Sequence, residues 1–168
     1  NVFTADVEDE FHVSDTAMEF PLESADEAPV LPKTVSRNFI LAIRGWDNGV
    51  FAMCQDEALA WLVETSSNVA SVATSDNEIT VVASHRSSVM SNLENQANTV
   101  KAVFLLAGAK VEESDGYPAW KMNPNSKLVE VAVASYKKLF GKEPIVKGIH
   151  AGLECGLFSE RYPNLDMV

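Results

Sequence analysis

Residues 78–86, Glu78-Ile79-Thr80-Val81-Val82-Ala83-Ser84-His85-Arg86, alternate apolar and polar side chains with little interruption. Successive side chains of an extended backbone point to opposite faces. Ile79, Val81 and Ala83 therefore share one face, and Thr80, Val82, Ser84 and Arg86 the other. The stretch reads as a strand with one buried side. Immediately upstream, residues 59–73 form a second strand candidate, and Thr74-Ser75-Asp76-Asn77 between the two suits a hairpin turn. Downstream, Ser91 and Glu94 have the spacing of a capping box. The helix they would open carries Leu93, Ala97, Val100 and Phe104 at helical spacing, and Gly108 suits its end. Residues 109–114 follow as a short strand.

Further from this centre the same reasoning continues. Phe3, Ala5, Val7 and Phe11 lie among acids, as in a strand over residues 2–13 with one solvated face. Residues 14–32 hold three prolines and several acids and read as a loop. A helix is expected from Thr34, with Val35, Phe39, Ile40 and Ile43 on one side and Gly45 as its stop. Asn48-Gly49 marks a turn before a strand over 50–53. This order predicts an antiparallel sheet with helices on one face. Beyond Gly116 the pattern changes. A turn-rich connection leads to a helix opened by Ser126, with Leu128, Val131, Ala132, Ser135, Leu139 and Phe140 on its apolar side and Gly141 at its close. A strand over 145–149, a short helix over 153–161 and a strand from Leu165 complete an αβαβ piece. The fold class is α/β, with a domain boundary near Gly116 dividing 1–115 from 116–168.

The chain has 168 residues, 24 acids against 13 Lys and Arg, and a net charge of -11. Nine of the acids precede Lys33 and no basic residue does, so the acidity belongs to one end. Binding to duplex nucleic acid needs a basic footprint that displaces counterions, and none is present. No apolar run approaches the ~20 residues that cross a bilayer. Two cysteines, Cys54 and Cys155, make no disulfide scaffold, which points to a reducing compartment. The apolar run Leu165-Asp166-Met167-Val168 lacks the polar turn that closes a strand, and Asn1-Val2-Phe3 reads at once as structure. The chain is therefore expected to be a segment of a longer protein.

The densest chemistry lies in Ile149-His150-Ala151-Gly152-Leu153-Glu154-Cys155-Gly156, at an expected strand-to-helix transition where ligands favour open α/β sheets. Glycine there admits a ligand close to the backbone, and free N–H groups at a helix start attract anions. Cys155 reads as a small buried thiol in preference to a nucleophile. His150 and Glu154 have the chemistry of metal ligands, yet no third ligand stands at a recognisable spacing. Arg86, at a strand end, is either a surface arginine or a guanidinium able to grip a carboxylate in bidentate fashion. His12 and His85 have no local partners and read as structural or solvent-exposed. Trp46, Trp61 and Trp120 read as core or interface residues. Asp6, Glu8, Asp9 and Glu10 lack the glycine and spacing of a calcium loop and read as a solvated face.

Four groups of residues carry a resemblance. Tyr117-Pro118-Ala119-Trp120, Asn123-Pro124-Asn125-Ser126, Leu139-Phe140-Gly141-Lys142-Glu143-Pro144 and His150-Ala151-Gly152-Leu153-Glu154-Cys155-Gly156-Leu157-Phe158 closely resemble the aminoacyl-histidine dipeptidases. These are also called Xaa-His dipeptidases or bacterial carnosinases, and are zinc-dependent exopeptidases. Asn48-Gly49-Val50 and Arg86-Ser87-Ser88-Val89 fit the same family upstream, whereas residues 1–38 match poorly.

The resemblance implies a cytoplasmic enzyme whose α/β catalytic domain holds two zinc ions and is interrupted by a lid that often mediates homodimerisation. Residues 1–115 would be the later part of the lid, and 116–168 the return into the catalytic domain. The family's zinc ligands and its general-base Glu precede the lid or follow this stretch. No catalytic or metal-binding residue is therefore expected here. Substrate recognition is expected instead: Arg86 on the C-terminal carboxylate of an Xaa-His dipeptide, the Gly152 backbone N–H on the same group or the scissile one, and His150 and Glu154 shaping that loop. His85 departs from the family's more usual apolar residue or Thr. The competing readings are a non-catalytic binding or oligomerisation module on the same scaffold, and a related di- or tripeptidase of different specificity.

Overall fold

The structure, a computed structural model, describes residues 15–21, 33–75, 78–114, 116–151 and 154–168. Its elements run β1 (Asp15–Pro21), α1 (Lys33–Gly45), β2 (Gly49–Met53), a single 3-10 turn (Glu57–Leu59), β3 (Val63–Thr74), β4 (Glu78–Ser87), α2 (Met90–Leu106), β5 (Lys110–Glu113), α3 (Lys127–Phe140) and α4 (Glu154–Arg161). The five strands form one antiparallel sheet in the order β2-β3-β4-β1-β5.

β4 lies at the centre of this sheet, and its ten residues alternate half-buried and buried throughout. Ile79, Val81 and Ala83 enter the core as their spacing predicts, together with Met18 of β1, Ala42 of α1, Trp46, and Val100 and Phe104 of α2. Both helices thus cover the same face of the sheet. Leu93, Ala97, Val100 and Phe104 are all buried, so the helical periodicity of α2 identified its packed side correctly. Val35, Phe39 and Ile43 of α1 also pack on the core, but Ile40 is 57% exposed. The buried stripe of α1 is completed by Ala42 and then Trp46, which leaves Ile40 on the outer side.

The first strand departs from expectation. Residues 2–13 lie outside the described residues, and β1 falls within the stretch whose prolines and acids read as a loop. Its pairing with β4 on one side and β5 on the other holds it there, with Thr16 and Met18 fully buried. Pro21 is its last residue, where a missing N–H removes no interior ladder bond. The expected capping box is also absent. β4 continues to Ser87, so α2 begins at Met90 with Val89 as its cap position, and Ser91 falls inside the helix. Ser87 Oγ instead accepts from the Val89 N–H at 3.0 Å. β3 starts at Val63 and not at 59, because a 3-10 turn capped by Asp56 occupies the preceding residues.

One buried polar chain crosses this core. The Trp46 indole N–H donates to Ser67 Oγ at 3.1 Å, Ser67 Oγ lies 2.9 Å from His85 Nδ1, and His85 Nε2 lies 3.2 Å from Thr16 Oγ1. His85 is fully buried, so the structural reading of this residue holds and the exposed one does not. Matched hydrogen bonds offset the loss of hydration that burying an imidazole and two hydroxyls entails.

The remaining third has no comparable core. α3 is capped by Ser126 Oγ, which accepts from the Val129 N–H at 3.1 Å, and ends at Gly141 with φ 65°. Both ends match the sequence reading, yet no residue of α3 is buried, and Val131, Leu139 and Phe140 are exposed. Segments 145–149 and 165–168, expected as strands, form no ladder with any described strand. Extended apolar chain becomes a strand only beside a partner, and here residues near 150 lie across strand side chains instead of along a sheet edge.

Phe104 is fully buried and meets the Trp46 ring edge-on at 6.0 Å between centroids. Phe104→Ala should lower stability by about 3–5 kcal/mol in urea unfolding. A loss below about 1 kcal/mol would remove Phe104 from the set of core residues that matter.

Candidate functional site

The two-residue period of β4 sends His85 into the core under α1 and α2 and Arg86 to the opposite face. On β3, Ser66 is the residue directly opposite Arg86, and Ser67 is opposite His85. A shift in register between Val69 and Ser71 sets this pairing. Ser66 and Arg86 together hold His150. Ser66 Oγ lies 2.7 Å from the His150 Nε2, and Arg86 Nη1 donates to the His150 backbone carbonyl at 3.2 Å.

Beside this contact opens a cleft of about 430 Å³, whose lining includes Cys54, Glu64, Arg86, Trp120, Lys121 and His150. Its walls come from the start of β3, the end of β4, the connection after β5 and the 146–151 segment. Gly148 fits closely against Leu62 and Met122 on this wall. The end of the chain also contributes. Asp166 Oδ2 accepts from the Leu128 N–H at 2.9 Å at the start of α3, which places Met167 and Val168 on the lining. That N–H, followed by Ser126, holds the Asp166 carboxyl below its ordinary pKa.

The charged and nucleophilic groups of the cleft differ in what they can do. Burial, then the Arg86 charge, push the His150 pKa down, against a hydrogen bond to the Val63 backbone that pulls it up. The ring is therefore disposed to stay neutral beside the guanidinium. Burial first, then Glu64, raise the Cys54 pKa, with Lys121 opposing, so the thiol is kept from its nucleophilic form. Glu64 accepts from Asn92 Nδ2 at 2.9 Å, and its carbonyl accepts from the Ser88 N–H at 3.1 Å. Ser87 is occupied by Thr65 Oγ1 at 2.9 Å and by the Val89 N–H. Arg86 makes no ion pair among the described residues, and its one hydrogen bond there is to a neutral carbonyl.

Of the residues singled out from sequence, Arg86 and His150 are brought together. Gly152 lies outside the described residues. Glu154 is exposed in the first turn of α4 and does not line the cleft. Ser66, Glu64 and Cys54 were not singled out as site residues. Ser66 and Arg86 are 20 positions apart in sequence, and only the hairpin register joins them.

No protein-family model matches the chain. The cytosol non-specific dipeptidase of Escherichia coli (strain K12) is 36% identical over 143 residues, which is 85% of this chain and 29% of that relative. The crystal structure of aminoacylhistidine dipeptidase from Vibrio alginolyticus superposes with a TM-score of 0.70 at 38% identity, covering 86% of this chain and 29% of that one. This chain is homologous to one segment of those dipeptidases. The aminopeptidase PepT structure from Bacillus cereus ATCC 10987, with a TM-score of 0.60 at 20% identity, shares the fold over 90% of this chain and 43% of its own. The chain thus spans under a third of the length of the two dipeptidases it matches. The resemblance first read from short motifs extends through most of the chain, including the mixed α/β architecture with its antiparallel sheet.

Two expectations follow from the geometry in this dipeptidase-like segment. An unfolded histidine takes up a proton near pH 6.5, before the folded His150 does. Acid therefore favours the unfolded state at this residue. Urea unfolding of wild type and His150→Gln should show the wild type losing ground to the variant as pH falls below about 6.5. Parallel curves from pH 7.5 to 5.5 would show that the ring is not shielded. Separately, a Cβ on Gly156 would run into the Pro118 carbonyl. Gly156→Ala should cost about 1–3 kcal/mol and speed amide exchange across α4. Unchanged exchange would mean that α4 is not held by this approach.

Proposed function

We propose that the chain is a segment of a longer cytosolic zinc dipeptidase and that it supplies recognition of the substrate's C-terminal carboxylate. Residues 1–115 belong to the lid and dimerisation domain, and 116–168 to the return into the catalytic domain. The observation that carries this reading is Arg86. It is a half-buried guanidinium on a cleft, with no carboxylate partner among the described residues. With Nη1 committed to the His150 carbonyl, the Nε and Nη2 edge is the fork left for a planar, bidentate anion. The E. coli and V. alginolyticus relatives are named for dipeptide hydrolysis, and a dipeptide carries such an anion at its C-terminus.

The Xaa-His preference, the pair of zinc ions and the homodimer belong to the same proposal. Among the described residues, no three His, Cys, Asp or Glu side chains are grouped as a metal's ligands. The described residues offer no such ligand set, and the reading assigns them no step through a metal. Gly152, outside the described residues, enters the proposal from its sequence motif as the second anion contact, with His150 and Glu154 shaping that loop. The cytosolic placement rests on the name of the E. coli relative. No helix among the described residues is long and apolar enough to cross a membrane. A second reading, broad dipeptide specificity, is favoured by the word non-specific in the same name.

The test is Arg86→Ala in the full-length enzyme, assayed on β-alanyl-histidine and on dipeptides lacking histidine. KM should rise about tenfold or more with kcat little changed, as when a charge-assisted contact made equally in ground and transition states is removed. Unchanged KM and kcat would take Arg86 out of the site. Comparable kcat/KM on both substrate groups would favour the broad reading.

A further inference from the structure

We infer that Ser66 is a positioning residue for Arg86, acting through His150. The proposal deepens the carboxylate-recognition reading and rests on it.

Ser66 and Arg86 are directly opposed on adjacent antiparallel strands, so their side chains leave the sheet side by side on the same face. His150 is gripped from both strands at once. Its ring nitrogen meets Ser66 Oγ at 2.7 Å on β3, and its backbone carbonyl receives Arg86 Nη1 at 3.2 Å on β4. One residue of the 146–151 segment is thus held at its ring, by Ser66 and by the Val63 backbone, and at its main chain, by Arg86. An arginine side chain has several rotatable bonds, and a single hydrogen bond to a mobile carbonyl would leave its head poorly oriented. Fixing the ring fixes the residue that carries the carbonyl. The carbonyl in turn fixes which edge of the guanidinium faces the cleft.

Ser66 is suited to this work by its place. It is half-buried, is flanked in the strand by buried Thr65 and Ser67, and takes no part in the His85 chain behind the sheet. The depressed proton affinity of His150 is consistent with a ring kept neutral for a hydroxyl partner next to a cation. Nothing in this arrangement brings Ser66 to a substrate. Its effect passes through His150 to the orientation of Arg86.

The experiment uses the full-length enzyme with β-alanyl-histidine and its C-terminal amide, which lacks the carboxylate. Ser66→Ala should raise KM for the dipeptide about fivefold to tenfold with kcat little changed, and should leave the amide's KM unmoved. Ser66→Thr, which keeps a hydroxyl, should restore the wild-type KM, whereas the near-isosteric Ser66→Val should not. The Thr and Val variants carry the test if the alanine variant fails to fold. Combining Ser66→Ala with Arg86→Ala should be no worse than Arg86→Ala alone. A dipeptide KM unchanged by Ser66→Ala, while Arg86→Ala raises it, overturns this inference and spares the recognition reading. Equal losses on dipeptide and amide would reduce Ser66 to a general structural role and overturn it too. An Arg86→Ala enzyme with unchanged KM removes the recognition reading itself.

Discussion

The two-residue period of β4 is the constraint on which the rest of the structure depends. A β-strand cannot turn two consecutive side chains to the same face, so burying Ile79, Val81 and Ala83 commits every even position to the other side. His85 and Arg86 are neighbours in sequence with opposite environments. One joins the hydrogen-bonded chain from Trp46 to Thr16 beneath the helices, and the other faces a cleft. A slip of one residue would exchange these roles, placing a guanidinium in an apolar core and an imidazole at the cleft. The core residues packed under α2 oppose that slip more strongly than the polar contacts could alone.

The second constraint is the irregularity in β3. From the turn to Ser71, paired residue numbers run Thr74 with Ile79 and Ser71 with Val82, but after the shift Val69 pairs with Ala83 and Ser66 with Arg86. Continuing the first register would have set Ser67 opposite Arg86. The extra residue lets Ser67 reach His85 and Trp46 while Ser66 reaches His150. A bulge of this kind re-aims side chains without changing their sequence order. It divides two adjacent serines between the stability of the core and the geometry of the cleft.

The sheet and the last third of the chain rest on different physics. The sheet has a packed side, and its edge strand β5 is guarded by Lys110, Glu112 and Glu113. α3 has well-formed caps and no buried residue, so local signals define it more than packing does. The 146–151 segment is held by hydrogen bonds to strand side chains, and 165–168 by Asp166 at the start of α3. Leu139, Phe140, Ile145 and Val146 remain exposed together in this region. The cleft lies where these two parts meet, so its shape depends on a few polar contacts and on two close glycine approaches, Gly148 and Gly156.

Sequence alone determined what depends on local periodicity and short-range caps. The buried face of β4, the buried side of α2, the ends of α3 at Ser126 and Gly141, and the candidacy of Arg86 and His150 were all legible. The dipeptidase resemblance was legible too, because it rests on contiguous motifs. Errors arose where distant partners decide. β1 is a strand because β4 and β5 flank it, which outweighs the prolines and acids around it. Ser91 lost its capping role because β4 extends to Ser87. Segments 145–149 and 165–168 form no ladder among the described residues, because strand formation requires a neighbour that apolar spacing cannot supply. Tertiary structure alone decided that Ser66, and not Ser67, meets His150, and that His85 finds partners 18 and 69 residues away. Hydrogen bonds depend on distance in space, and folding brings together groups whose sequence separation carries no sign of the contact.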